Sequence, residues 1–418
     1  MLHWNDLHPY NAMGIFRLPA ALDLGRLKQI INGALAAHGL TGLTLNRSGG
    51  TFHYAGGQVD CEIKVISGGA DSQAALSAEI EVQLNTAFVL DKGFNPFRFF
   101  AVTEADGFWI GIVFIHVIAD GLSITLLARE VIEAYLKPGE PPVFQPFELY
   151  PHCRDGLLSQ PKLLFKKLAA LPAFVREMRS SSRLWCRDEN DFSNRFAFFT
   201  LDAGQLEALI KTAKACHITL NDLFLTLLLK SLSGMASDRQ LHPRRRKIAV
   251  GCIVNVRKGF GLKGQRAFGP FLGSLVVTHE LPKDTHLTEL AKDICRQTTA
   301  IKKSRLYLAS SWEQAFGRFM FALHSPARRK QFYDKNFPLW GGLTSMQVNA
   351  FWEPAPGERP MDCFSVAGTG PVVPLVFSVV TAETGVKIAI TYRPAFFSEI
   401  DVARIKNVFI EMVAQLKN

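Results

Sequence analysis

Two α+β domains are what this sequence predicts, on three observations. The chain of 418 residues exceeds one ordinary domain and suits two of about 200 residues each. Strand and helix patterns occur in both halves, and a second series starts afresh with the strand-like run Arg195–Leu201. Between the two series, Ser180–Asn194 (SSSRLWCRDENDFSN) is polar and turn-rich, a candidate inter-domain crossover. The expected domains are therefore 1–185 and 186–418.

The elements follow in order. Gly14–Leu18 reads as a strand stopped by Pro19, and Leu22–His38 as a helix with Leu24, Leu27, Ile30, Ile31 and Leu35 on one face. Thr51–Tyr54 and Val59–Ile66 read as strands of a meander, Asp71–Phe88 as helical or mixed, and Asn95–Glu104 as a strand. The run Phe108–Ile115 is continuously apolar, rich in β-branched and aromatic residues, and reads as a strand buried on both faces. After it, Leu122, Leu126, Leu127, Val131, Ile132 and Tyr135 recur at helical spacing, so this helix buries one face; the proline-rich Pro138–Pro146 ends it. Gln160–Arg183 is a basic helix pattern that Pro172 is expected to kink or split. It suits packing on its own domain or contact with a membrane surface.

In the second half a helix spans Ala203–Cys216, and Thr219–Asp222 (TLND) forms a capping-box start to the apolar helix LFLTLLLKSLSGM. Lys247–Val256 is a strand that delivers Arg257, and Leu275–Thr278 is another. Leu287–Lys303 and Phe316–Leu323 read as helices, the latter followed by a basic loop around Arg328. Pro371–Val380, Gly385–Tyr392 and Glu399–Leu416 close the chain as strand, strand and helix.

The chemistry gathers at one junction. His116 leaves the buried strand, and Asp120 and Gly121 follow four and five residues later, at the start of the helix. Imidazole titrates near neutral pH, so a histidine held there can serve as a general base. The alternative for a lone histidine ending an apolar strand is a satisfied core residue.

This spacing, HxxxDG between a strand and an amphipathic helix, resembles the active-site signature of the CoA- and carrier-dependent acyltransferases. That superfamily includes chloramphenicol acetyltransferase, plant BAHD acyltransferases, alcohol acyltransferases, wax ester synthases and the condensation domains of peptide synthetases. The opening strand, helix and AAHGL resemble condensation-type domains. Asn255-Val256-Arg257 resembles the N-[LV]-R segment, and the resemblance implies that Arg257 pairs with Asp120, an arginine–carboxylate clamp that fixes the turn bearing His116. FGPFLGS at 268–274 resembles the GN-x-x-G approach only loosely, with a proline inside it. GGLTSM at 341–346 resembles the segment whose hydroxyl or amide steadies the oxyanion, so Thr344 or Ser345 is a candidate donor; a strand-capping hydroxyl is the other reading.

Two departures shape the expectation. Ile115 stands where condensation domains and wax ester synthases usually carry a second histidine, and no DFGWG segment is present. The resemblance thus implies a stand-alone acyltransferase with a two-lobed chloramphenicol acetyltransferase-like fold. Each lobe would hold a mixed, mostly antiparallel sheet with helices, and a tunnel between the lobes would lead to His116. The implied reaction moves an acyl group from acyl-CoA to an alcohol or amine acceptor with no covalent acyl-enzyme. The alternatives are a condensation-like enzyme using substrates tethered to the phosphopantetheine of an acyl carrier protein, or a non-catalytic condensation-like binding module.

Composition bounds the partners. The longest apolar runs fall short of the ~20 residues that span a bilayer. The opening MLHWNDLHPYNAMG lacks a signal-peptide pattern. Seven cysteines without a CxxC pair argue against a disulfide framework or a zinc site, so the expectation is a monomeric cytoplasmic protein with no metal and no tightly bound cofactor. The net charge of +10 concentrates in Lys162–Arg187, Arg244–Lys247, Lys302–Arg305 and Arg328–Lys330. Such a surplus attracts CoA phosphates, an acidic carrier protein or a membrane surface, and no nucleic-acid motif accompanies it.

Overall fold

A computed structural model describes residues 2–46, 51–151, 161–236, 244–262, 266–280, 285–309, 319, 321, 324–325, 332–348, 352 and 362–417. The expected helix at 316–323 and the basic loop around Arg328 lie almost wholly outside the described residues.

In chain order the elements are α1 (Leu2–Asn5), β1 (Asn11–Leu18), α2 (Leu24–Ala37), β2 (Leu43–Asn46), β3 (Thr51–Tyr54), β4 (Ile63–Ser67), α3 (Ser72–Asn85), β5 (Phe97–Glu104), β6 (Gly107–Ile115), α4 (Gly121–Leu136), β7 (Glu148–Leu149) and α5 (Pro161–Ser180). They continue with β8 (Arg195–Asp202), α6 (Ala203–Ala215), α7 (Leu220–Ser233), β9 (Ile248–Asn255), β10 (Ala267–Phe268), β11 (Leu272–His279), α8 (Leu287–Ser304), α9 (Phe332–Asn336), β12 (Leu339–Gln347), β13 (Asp362–Ala367), β14 (Leu375–Ala382), β15 (Gly385–Tyr392) and α10 (Glu399–Gln415).

Two mixed, mostly antiparallel sheets organise these elements. The first has strand order β13-β1-β6-β5-β4, and the second β11-β9-β12-β14-β15-β8. Each packs helices against it around its own apolar core, one built on β1, β5, β6, α2 and α4, the other on β9, β14, β15, α7 and α10. All nine residues of β6 are buried, as a central strand covered on both faces must be. Gly111 sits mid-strand because the ring of Phe100 on β5 occupies the space; a Cβ there would lie 2.1 Å from it.

Local signals acted as local signals do. Asp23, Asp71, Asp120 and Ser398 each cap the helix that follows them. Thr219 and Asp222 form the reciprocal capping box, each side chain bonding the other's backbone N–H. No single described helix is long and apolar enough to cross a membrane.

Three expectations are corrected. Thr51–Tyr54 and the strand after it form no meander: among the described residues β3 pairs only with β2, while β4 joins the first sheet parallel to β5. Pro172 does not split α5, which runs unbroken from Pro161 to Ser180. Pro172 and Leu168 both face outwards, so the Leu168 carbonyl left without its helical N–H turns to water. The division at 185/186 also fails at one strand. β13, from the C-terminal half, pairs along Ala12–Arg17 of β1 and completes the first sheet.

Candidate active site

The site begins where β6 ends. The backbone N–H of His116 donates to the Tyr10 carbonyl at 2.9 Å, so β1 fixes the exit of the neighbouring strand. The His116 ring lies 5.1 Å from the Tyr10 ring and edge-on to Phe114 at 5.8 Å. Its Nδ1 is 3.1 Å from the Ala119 carbonyl oxygen. A carbonyl only accepts, so this bond places the proton on Nδ1 and leaves the Nε2 lone pair as the acceptor of the neutral ring. His116 is 8% exposed, and burial lowers its pKa below the usual 6.5, outweighing the opposing pull of the Ala119 carbonyl and Asp120. The neutral imidazole that results is the form able to take a proton.

Asp120 is the N-cap of α4 and the hub of a buried network. Its Oδ1 accepts from the Ser123 backbone N–H and the Ser123 hydroxyl, both at 2.9 Å, and its Oδ2 from the Phe271 N–H at 3.0 Å. Arg257 grips both oxygens, Nη1 to Oδ2 at 2.7 Å and Nη2 to Oδ1 at 3.0 Å. The two side chains are 6% and 2% exposed, a bidentate ion pair removed from water. Nη2 also donates to the Ser123 hydroxyl at 2.9 Å and the Ala267 carbonyl at 3.2 Å, and the guanidinium carbon sits 4.4 Å from the centre of the Phe271 ring. The clamp therefore ties the helix after β6, on the first sheet, to the turn after β9, on the second, and to the segment around β10, which pairs with β7.

Ser123 completes this network and escaped the sequence reading. Its oxygen accepts from Arg257 and from the Gly269 N–H at 3.1 Å, while its single hydrogen reaches either Asp120 Oδ1 or the Gly269 carbonyl at 3.0 Å. The available signal was positional: an aspartate at the N-cap leaves the third helical residue beside its carboxylate.

Gly121 is not needed to permit the turn. It is the first residue of α4, its φ is not positive, and a Cβ would meet nothing within 4 Å. What glycine supplies is space. Gly121 forms part of the wall of a narrow, mostly apolar cavity between the lobes, together with Gly14, Phe16, Thr125, Met346 and Phe364. The expected tunnel was to end on His116, but His116 is not among the residues around this cavity, which opens instead along the first turns of α4.

Thr344 and Ser345 lie mid-strand in β12, not at a strand cap, and neighbouring strand residues face opposite sides. The Ser345 hydroxyl donates to Asn221 Oδ1 at 2.7 Å, at the start of α7. Leu343, on the same side, belongs to the second core. Thr344 alternates to the side of Met346, whose sulfur lies 3.6 Å from the Thr125 hydroxyl on α4. Of the two, Thr344 is the one turned toward the lobe that carries His116.

Comparison with known proteins gives a family match for part of the chain and a fold match for the whole. The family model for the Condensation domain matches residues 4–160, which hold β1, β6, His116, Asp120 and α4. No curated protein sequence matches the chain. Among solved structures, the first condensation domain of the CDA synthetase is 13% identical with a TM-score of 0.70, covering 98% of this chain and 91% of its own. The cyclization-docking bidomain of EpoB from Sorangium cellulosum is 13% identical with a TM-score of 0.70, covering 98% of this chain and 79% of its own. VibH, described as an NRPS condensation enzyme, is 15% identical with a TM-score of 0.62, covering 100% and 94%. Residues 4–160 thus match the condensation-domain family, and the whole chain has the two-lobed fold of condensation domains.

Proposed function

We propose that this protein transfers an acyl group from a phosphopantetheine thioester to a hydroxyl or amino acceptor. CoA and an acyl carrier protein present the same thioester, and the two donors are separated by experiment below. The observation that carries the proposal is His116 itself: neutral through burial, with Nδ1 committed to Ala119 and Nε2 left to accept a proton. In the proposed reaction Nε2 takes the proton of the acceptor O–H or N–H as that atom attacks the thioester carbonyl. The Thr344 hydroxyl donates to the oxyanion of the tetrahedral intermediate. The carbon–sulfur bond then breaks, the imidazolium returns its proton to the departing thiolate, and an ester or amide and a free thiol result. Asp120 and Arg257 take no proton; they hold the turn that positions the ring.

The condensation-domain match favours a carrier-bound donor, as VibH is described as an NRPS enzyme. Ile115, in place of a second histidine, is the feature on the side of CoA. Free thiol release is followed from a panel of acyl-CoAs and from acylated carrier proteins, each with a pool of alcohols and amines, for wild type and His116→Ala. Release that requires both an acceptor and His116 supports the reading and identifies the donor. Release that persists in His116→Ala, or no transfer from either donor, overturns it.

A further inference from the structure

We infer that the outer face of α5 docks this protein on an anionic membrane surface. The inference does not depend on the reaction proposed above. The inner face of α5 is accounted for. Leu163 packs in a cluster with Val256, Phe271 and Leu308, and Met178 and Phe174 pack with Ala249 and Leu339. A helix that only covered its own lobe would turn polar residues outwards. Here the outward positions include Phe165, Leu168 and Val175, at 71%, 55% and 37% exposure, with the exposed Pro172 between them. They form one row, since residues three, four and seven apart share a helix face. Ten residues of helix make that row about 15 Å long. Trp185, 75% exposed, follows just beyond the helix.

Charge selects the occupant. Exposed cations bound the row at both ends, Lys162 and Lys166 around Phe165, Arg176 and Arg179 beyond Leu171. The single acid on the helix, Glu177, is half-exposed but neutralised by Lys247 at 2.8 Å, and it accepts from the Thr278 hydroxyl at 2.9 Å. An apolar row whose margins carry four exposed cations against one acid already paired with Lys247 fits a surface of uniform negative charge above an apolar layer, the pattern of helices that lie in the plane of a bilayer interface. Long lysine and arginine stems let the charges reach the headgroups while the row enters the acyl boundary. The folded face of a protein partner presents both signs of charge and would be met by a mixed rim. Docking through α5 would also bring the loops that hold Arg257 toward the membrane, because Leu163 packs beside Val256 and Phe271.

The full chain is sedimented with vesicles of phosphatidylcholine alone and of phosphatidylcholine with phosphatidylglycerol, at low and high salt. Wild type, Phe165→Ser/Leu168→Ser and Lys162→Glu/Lys166→Glu are compared. All four side-chain changes are at exposed positions, and an unchanged melting temperature verifies folding. The expected result is capture by the anionic vesicles only. Capture should weaken between about 0.1 M and about 1 M salt, as the Debye length falls from about 10 to about 3 Å. Either double variant should lose more than about tenfold in partitioning. No capture of wild type, or capture that both variants retain, overturns the inference. Capture by an acidic carrier protein but by neither vesicle, lost in Phe165→Ser/Leu168→Ser, also overturns it and makes the row a protein-docking face.

Discussion

Removing the guanidinium from the clamp gives the sharpest test of how the site is held. In Arg257→Ala the Asp120 carboxylate remains 2% exposed and loses its only cationic partner among the described residues. Breaking a buried pair in this way costs about 3–5 kcal/mol. Three neutral donors stay with the carboxylate, the Ser123 N–H and hydroxyl and the Phe271 N–H, which argues for the lower end. The loss of the Phe271 stacking and of the bond to the Ala267 carbonyl works in the other direction. The expected destabilisation is therefore about 3–4 kcal/mol, a fall in melting temperature of about 6–15 °C for lobes near 200 residues. Asp120→Asn should fall in the same range, because it strands the arginine. The double variant Asp120→Leu/Arg257→Met, which removes both charges, should recover much of the stability while staying inactive. Calorimetry measures all three, and thiol release reads activity alongside. Melting temperatures of the single variants within about 1 °C of wild type, or a double variant no more stable than the singles, would refute the argument that the charges are buried and mutually dependent.

Four further outcomes follow from the site. The lowered pKa of His116 means that the folded state binds its proton less readily than the unfolded chain does, whose histidine titrates near 6.5. Stability should therefore be undiminished by this group above pH 6.5 and fall as pH drops from there toward the folded pKa, with activity titrating below 6.5; His116→Asn should flatten the stability slope in a denaturation series. Gly121→Ala should leave the melting temperature unchanged, since its Cβ meets no atom, yet narrow the cavity, shifting the preferred acyl chain or acceptor to smaller members of the panel. Thr344→Val should lower the maximal rate by about 100-fold or more, the usual cost of one oxyanion donor, with little change in stability. Ser345→Ala should instead cost about 0.5–1.5 kcal/mol of stability through Asn221 and leave the rate nearly intact.

What the residues disclose in advance depends on how far apart the interacting partners stand. β6, α4 and the Thr219–Asp222 box were legible because strand burial, helical spacing and capping act within a few residues. The clamp spans 137 residues and was anticipated through family resemblance, not through any local pattern. The pairing of β4 with β5 and the Tyr10–His116 contact carried no such marker, and a parallel strand reads like any other. β13 was missed entirely, since its partner β1 lies some 350 residues earlier and nothing in DCFSVA names it. The side of β12 that each hydroxyl faces depends on where the strand sits between two cores, which alternation alone leaves open. Outward apolar positions on α5 were likewise hidden, because a hydrophobic row looks the same in sequence whether it is covered or bare.

β13 has a consequence for how the protein is made. β1 and β6 leave the ribosome early, but the strand that flanks β1 on its other side emerges only after about 250 further residues, about 13–50 s at usual synthesis rates. Through that interval β1, with seven of its eight residues destined for burial, offers a bare edge to any neighbouring chain. Expression in the cell should accordingly depend on holding chaperones. A fragment ending near residue 185 should aggregate when produced alone and regain solubility when a peptide spanning 362–367 is supplied to fill the gap beside β1.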